Sequence, residues 1–104
     1  MDKITILSVW GKGRIVSGYD GNKYRKDQCG AWMVYSEYGN RNSIYGWEID
    51  HIIPKSKGGS DYISNLQPLQ WENNRAKSDG IEIPAIIASQ GRNVKNICSQ
   101  ILYE

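Results

Sequence analysis

The sequence predicts one small α+β domain, and three observations point that way. Its 104 residues suffice for one modest core. Residues 45–50 (YGWEID) alternate cleanly, with Trp47 and Ile49 on one face and Glu48 and Asp50 on the other, the period of a half-buried strand. Near the C-terminus, Val94, Ile97, Cys98, Ile101 and Leu102 recur at helical spacing. The expected architecture is a core of two strands and a helix at 45–80. N-terminal strands fall within an extension over 1–44, and C-terminal helices within one over 81–104.

Taken in order, residues 3–10 (KITILSVW) alternate loosely and suggest a first strand. Residues 11–27 are rich in Gly, Asn and charge and read as loop. Residues 29–35 (CGAWMVY) suggest a second strand that buries Cys29, and Gly39, Asn40 and Asn42 mark a turn. Pro54 ends the 45–50 strand, and KSKGGS at 55–60 is an open loop. Residues 66–70 (LQPLQ) make a short strand in which Pro68 demands an edge or irregular position. A short helix follows at 71–78, with Gly80 as its stop. Pro84 suits the first turn of a helix over 85–89, and a second helix starts near Arg92. Its apolar stripe is expected to pack on its own domain, with a dimer seam as the alternative.

Composition narrows the partners. No apolar run approaches the ~18 residues of a membrane span, and no export signal is visible, so the expected location is the cytoplasm. The four Trp and seven Tyr, in a chain without Phe, bring N–H and O–H groups that need partners once buried. A net charge of +2 says little, but its distribution says more. Lys12, Arg14, Lys23, Arg25 and Lys26 are opposed only by Asp20 before Asp27. Such a patch suits phosphates; a merely solvated surface explains it equally well. Cys29 and Cys98 are expected to be reduced thiols. With a single histidine and no Cys pair at ligand spacing, a structural zinc site cannot be assembled.

The central segment holds the reactive groups. His51 is the one side chain here whose ordinary pKa suits deprotonating water near neutral pH. Asp50 beside it is a hard oxygen ligand, and Asn74 can add an amide oxygen, so that two protein oxygens plus waters and phosphate suit Mg²⁺. A regular strand would aim Asp50 and His51 at opposite faces, so the strand should twist or end here. Asn73 competes with Asn74 for the metal.

Residues 45–80 resemble the HNH nuclease family. The pattern is D-H-x13-N-x8-N, with Gly58-Gly59, Asn65-Leu66-Gln67 and an N-R-x-K run at Asn74–Lys77 in the expected places. The resemblance implies a ββα-metal core and hydrolysis of DNA phosphodiester bonds with Mg²⁺, Mn²⁺ or another divalent cation. It makes Asp50 the acidic metal ligand and His51 the general base. Asn65 would orient the histidine and pin the loop, and the N-R-x-K spacing favours Asn74 as second ligand. Lys77 would contact phosphate or stabilise charge in the transition state; a solvated helix residue is the plainer alternative. Lys55, Lys57, Arg75, Lys23, Arg25 and Lys26 are the candidate nucleic-acid contacts. Many members carry two Cys-x-x-Cys pairs around structural zinc, whereas this chain has Gln70 and Asn73 where the second pair would fall, and the stretches 24–30 (YRKDQCG) and 38–40 (YGN) also resemble a zinc-free bacterial or phage type.

Glu48 reads as support for the site or as the partner of Arg41 or Arg75, and Trp32, Trp47 and Trp71 as core. Two other readings compete with a DNA nuclease. One is a binding module that kept the scaffold, against which the intact Asp50, His51 and Asn74 argue. The other is a ribonuclease or toxin, since this chemistry needs no 2′-hydroxyl. So small a chain has little surface for reading long sites, which points to low specificity or a targeting partner; a homodimer through the C-terminal stripe is the other partner considered.

Overall fold

The computed structural model describes residues 1–89 and 91–95. It is a mixed α+β domain in which two helices flank short antiparallel strands. Helix α1 spans Lys3–Trp10, β1 Tyr24–Lys26, β2 Trp32–Val34, β3 Trp47–His51, β4 Leu66–Gln70, helix α2 Trp71–Lys77, β5 Ile87–Ser89 and β6 Asn93–Lys95. Strands pair as β1 with β2, β3 with β4 and β5 with β6. No helix among the described residues is long and apolar enough to cross a membrane.

The first segment is a helix, not the expected strand. Asp2 caps it, its carboxylate accepting from the Thr5 backbone N–H at 2.7 Å. Ile6, Val9 and Trp10 then fall on one side at helical spacing and enter the core, while Ile4 and Leu7 stay exposed. The loose alternation of 3–10 concealed this i, i+3, i+4 set. Val9, Trp10, Met33, Trp47 and Leu66 form the central cluster, with Ile6, Tyr35 and Ile49 packed against it. Three of the four indole N–H groups find carbonyls: Trp10 bonds to Gly21, Trp47 to Tyr35 and Trp71 to Ser43. Trp32 and Trp47 are buried as expected. Trp71 is half-buried, with the Arg41 and Arg75 guanidinium groups over its ring.

The C-terminal expectation also fails over the described residues. Residues 87–89 and 93–95 form an antiparallel hairpin with Ala88 opposite Val94, where two helices were expected. The cause lies in the side chain of Asn73. Its amide accepts from the Ile87 N–H at 2.8 Å and donates to the Ile87 carbonyl at 2.9 Å, holding that backbone extended. Gly91 turns the chain at φ +83°, a conformation that favours glycine. Ile97, Cys98, Ile101 and Leu102 lie outside the described residues.

Asn73 belongs to a buried hub around Asp27. The Asp27 carboxylate accepts from the backbone N–H groups of Cys29, Ala31 and Gln70 and from the Asn73 amide. Burial pushes the Asp27 carboxyl up despite these bonds. Gln70 caps α2, its side-chain oxygen accepting from the Glu72 and Asn73 N–H groups. Hydrogen bonds thus knit positions 70 and 73, where the resemblance places thiolates, to the turn at Cys29. That residue sits in a half-buried turn before β2 instead of within a strand, and burial together with Asp27 pushes its thiol up to about 12.

Candidate active site

Strand β3 runs antiparallel to β4 with Asp50 opposite Gln67 and His51 opposite Leu66, and α2 packs on this pair. The strand ends at His51, so both neighbours reach one polar cavity of about 290 Å³. Asn74 from α2 lines the same cavity, with Lys55 and Ser56 from the loop. Asn73 points away into the Asp27 hub, so of the two adjacent amides only Asn74 reaches this cavity.

Asp50 is buried and anchored at both oxygens. Oδ1 accepts from Lys77 Nζ at 3.1 Å, and Oδ2 from the Gln67 amide at 2.9 Å. Lys77 Nζ also donates to the His51 carbonyl at 2.8 Å. Only 1% of the Lys77 side chain is exposed, so it is no solvated helix residue, and it does not line the cavity. Its charge works inside the protein, across Asp50 and the His51 backbone.

His51 is held from the solvent side. Its Nε2 lies 2.7 Å from Asp61 Oδ1, and Lys55 Nζ donates to Asp61 Oδ2 at 3.0 Å. The His51 hydrogen bond, then that from Lys55, holds the Asp61 carboxyl below the usual range. Asp61 carried no role in the sequence reading; its place three residues after Gly58 was the available signal. Gln67, which steadies Asp50, was likewise missed.

The loop between β3 and β4 is tied by Asn65. Its amide donates to the Ile53 and Ser60 carbonyls and accepts from the Ile53 N–H. Its side-chain hydrogen bonds go to the loop that carries Asp61 and none to the His51 ring. Gly59 is needed there, because an added Cβ would stand 1.7 Å from the Ile53 carbonyl oxygen. Gly58 turns at φ +89°.

Glu48 combines the two roles proposed for it. It pairs with Arg41 at 2.7 Å and accepts from the Asn74 amide at 2.9 Å. Burial pushes its carboxyl up, but the bonds from Arg41 and Asn74 outweigh burial and hold it below the ordinary value. With its nitrogen given to Glu48, the Asn74 amide keeps its oxygen for a ligand.

The candidate nucleic-acid residues fare unequally. Lys55, Lys57 and Arg75 are exposed on the elements that frame the cavity, and Lys23 is exposed in the turn before β1. Arg25 is different: its guanidinium donates to the Gly21, Gly11 and Gly13 carbonyls and braces the turn after α1. Lys26 is half-buried, its ammonium 5.0 Å from the centre of the Trp32 ring.

A divalent cation fits this donor set. Asp50 has spent two of about four lone-pair sites, Asn74 keeps its oxygen, and the cavity is polar and large enough for retained waters. Among the described residues, no three His, Cys, Asp or Glu side chains converge on one point. Any ion would therefore rest on few protein ligands.

Compared with known protein families, residues 35–80 match the HNH endonuclease family. No match was found among curated proteins or among solved structures.

Proposed function

From the premise that residues 35–80 belong to the HNH endonuclease family, we propose that this protein hydrolyses DNA phosphodiester bonds with a divalent cation. One observation carries the reading: Asp50, His51 and Asn74, from β3 and α2, open onto one polar cavity within the matched segment.

His51 is the general base in this reading and takes a proton from the attacking water. Asp61 accepts from Nε2, which keeps Nδ1 for that proton and fixes the ring plane. Asp50 and Asn74 would hold the cation, whose chemistry is to stabilise charge on the phosphoryl and leaving oxygens. Lys77 and Gln67 are positioning residues that keep the Asp50 carboxylate aimed at the cavity. Lys55, Lys57 and Arg75 offer charge to the strand lying across it.

Incubation of supercoiled plasmid with Mg²⁺ or Mn²⁺, with and without EDTA, tests the proposal. Nicked or linear product that requires both the cation and an intact His51 is expected. An inert wild-type protein, or cleavage indifferent to EDTA, would overturn it. Parallel incubation with RNA of the same sequence measures the preference between the two substrates.

A further inference from the structure

A second cavity, of about 300 Å³, lies between the turn after α1 and strand β4, and three cations line it: Lys12, Arg14 and Lys26. Backbone geometry places two of them side by side. The Arg14 N–H donates to the Lys26 carbonyl at 2.8 Å, and the Lys26 N–H returns a bond to the Arg14 carbonyl at 2.9 Å. Lys12 is fixed by bonds from Nζ to the Ile63 and Leu66 carbonyls, which hold its position without cancelling its charge.

None of the three has an ion-pair partner among the described residues. The Arg14 guanidinium has no side-chain hydrogen bond there either, whereas the nearby Arg25 guanidinium donates from Nε and Nη1 to three carbonyls. Asp27 also borders the cavity, but four N–H donors surround its buried carboxylate. A concave wall with three unneutralised positive charges focuses potential on an anion.

The cavity also adjoins the candidate active site. Gln28 donates to the Gln67 side-chain oxygen at 2.6 Å, and Gln67 in turn donates to Asp50. Both glutamines line the basic cavity, so a single side chain separates it from the Asp50 carboxylate. The two cavities thus border opposite sides of the Gln67–Asp50 pair, and an extended polyanion is the ligand class able to engage both.

We infer that this cleft binds a backbone phosphate of the nucleic acid away from the scissile bond, with Arg14 as its free cation and with Lys12, held by carbonyls, and Lys26, held over the Trp32 ring, as fixed supporting charges. The inference rests on the nuclease reading and adds a binding position to it.

Fluorescence anisotropy of a labelled DNA duplex in EDTA, over a series of salt concentrations, tests it. Each lost phosphate contact lowers the slope of log Kd against log salt by about 0.9. Arg14→Ala/Lys26→Ala should therefore lose about one unit of slope, weakening binding alike for unrelated sequences. Lys3→Ala, on the exposed start of α1, serves as the control and should keep the wild-type slope. If the double variant melts early, Arg14→Gln alone should lose most of that unit, because its exposed guanidinium makes no hydrogen bond or ion pair among the described residues. Wild-type slopes in these variants, with plasmid cleavage intact in the wild type, would overturn the cleft and leave the nuclease reading standing. Lost slope with no cleavage by the wild type would support the cleft and refute the nuclease reading.

Discussion

Lys77 and Asp50 form a buried ion pair, Nζ to Oδ1 at 3.1 Å, with side chains 1% and 7% exposed. The same ammonium grips the His51 carbonyl, so one cation holds two successive residues of β3. Removing it leaves a buried carboxylate with one neutral donor. Lys77→Met should destabilise the fold by about 3–5 kcal/mol, the usual cost of breaking a buried pair from one side. Adding Asp50→Asn should recover much of that loss without restoring cleavage. Denaturant unfolding of the three variants measures both steps, and a stable, active Lys77→Met protein would contradict this role.

His51→Ala should lower cleavage about 10²–10⁴-fold, the usual contribution of general-base proton transfer. Its ring is held by a surface carboxylate, so circular dichroism and the thermal midpoint should stay near wild type. Undiminished cleavage by the folded variant would remove His51 from the chemistry.

The adjacent amides of α2 separate fold from function. Asn73 is fully buried and serves Asp27 and both backbone groups of Ile87. Asn73→Ala should cost about 1–3 kcal/mol or more by leaving buried groups unpaired. Asn74→Ala should instead weaken divalent-ion binding, read by titration calorimetry, with little change in the thermal midpoint. The reverse pattern would mean that the helix presents the other amide.

The two strands and helix of 45–80 were legible because each carried a local signal. Trp47 to Asp50 alternate, Pro54 follows the strand's end, and the helix expected over 71–78 runs Trp71–Lys77, capped at Ser78 two residues before Gly80. The ends were missed for two reasons: at 3–10 a loose alternation masked the local helix signals, and at 85–89 a tertiary contact overrode local preference. An aspartate cap and three inward residues made 3–10 a helix, and the Asn73 amide held Ile87 extended where Pro84 suggested a helix. Asp50, His51 and Asn74 could be named from spacing. Asp61 and Gln67 could not, because their roles depend on how the loop after Pro54 folds back and on cross-strand register. Arg25 shows the opposite limit: charge density suggested phosphate, but its geometry is that of a brace.

Acid should reveal Asp27 by its sign. Burial raises its folded pKa above the unfolded value, so it favours the folded state most at low pH, and that contribution is lost as pH rises through the folded value. Glu48 and Asp61 act oppositely: their lowered values stabilise the fold above the ordinary carboxylate range, and this is lost as pH falls through the folded values. Asp27→Asn removes the first contribution alone. The stability gap between wild type and variant should therefore widen from neutral pH down toward the ordinary carboxylate range. A gap that narrows on acidification would show that the carboxylate is not held against its burial.

The ion should matter for cleavage and little for folding. Few protein groups would hold it, whereas the fold rests on the Trp-rich cluster, the Asp27 hub and the hairpin of β5 and β6. Within that hairpin, Asn93 is buried and its side chain bonds to the Trp32 N–H and carbonyl and to the Ile44 carbonyl. EDTA should therefore abolish cleavage and leave the thermal midpoint nearly unchanged. Asn93→Ala should do the opposite to stability, costing about 1–3 kcal/mol for each buried backbone group it leaves unpaired, whether or not metal is present. A midpoint that collapses on chelation, or stoichiometric zinc in the purified protein, would mean that a metal site holds the fold where the hydrogen-bonded hub was credited with doing so.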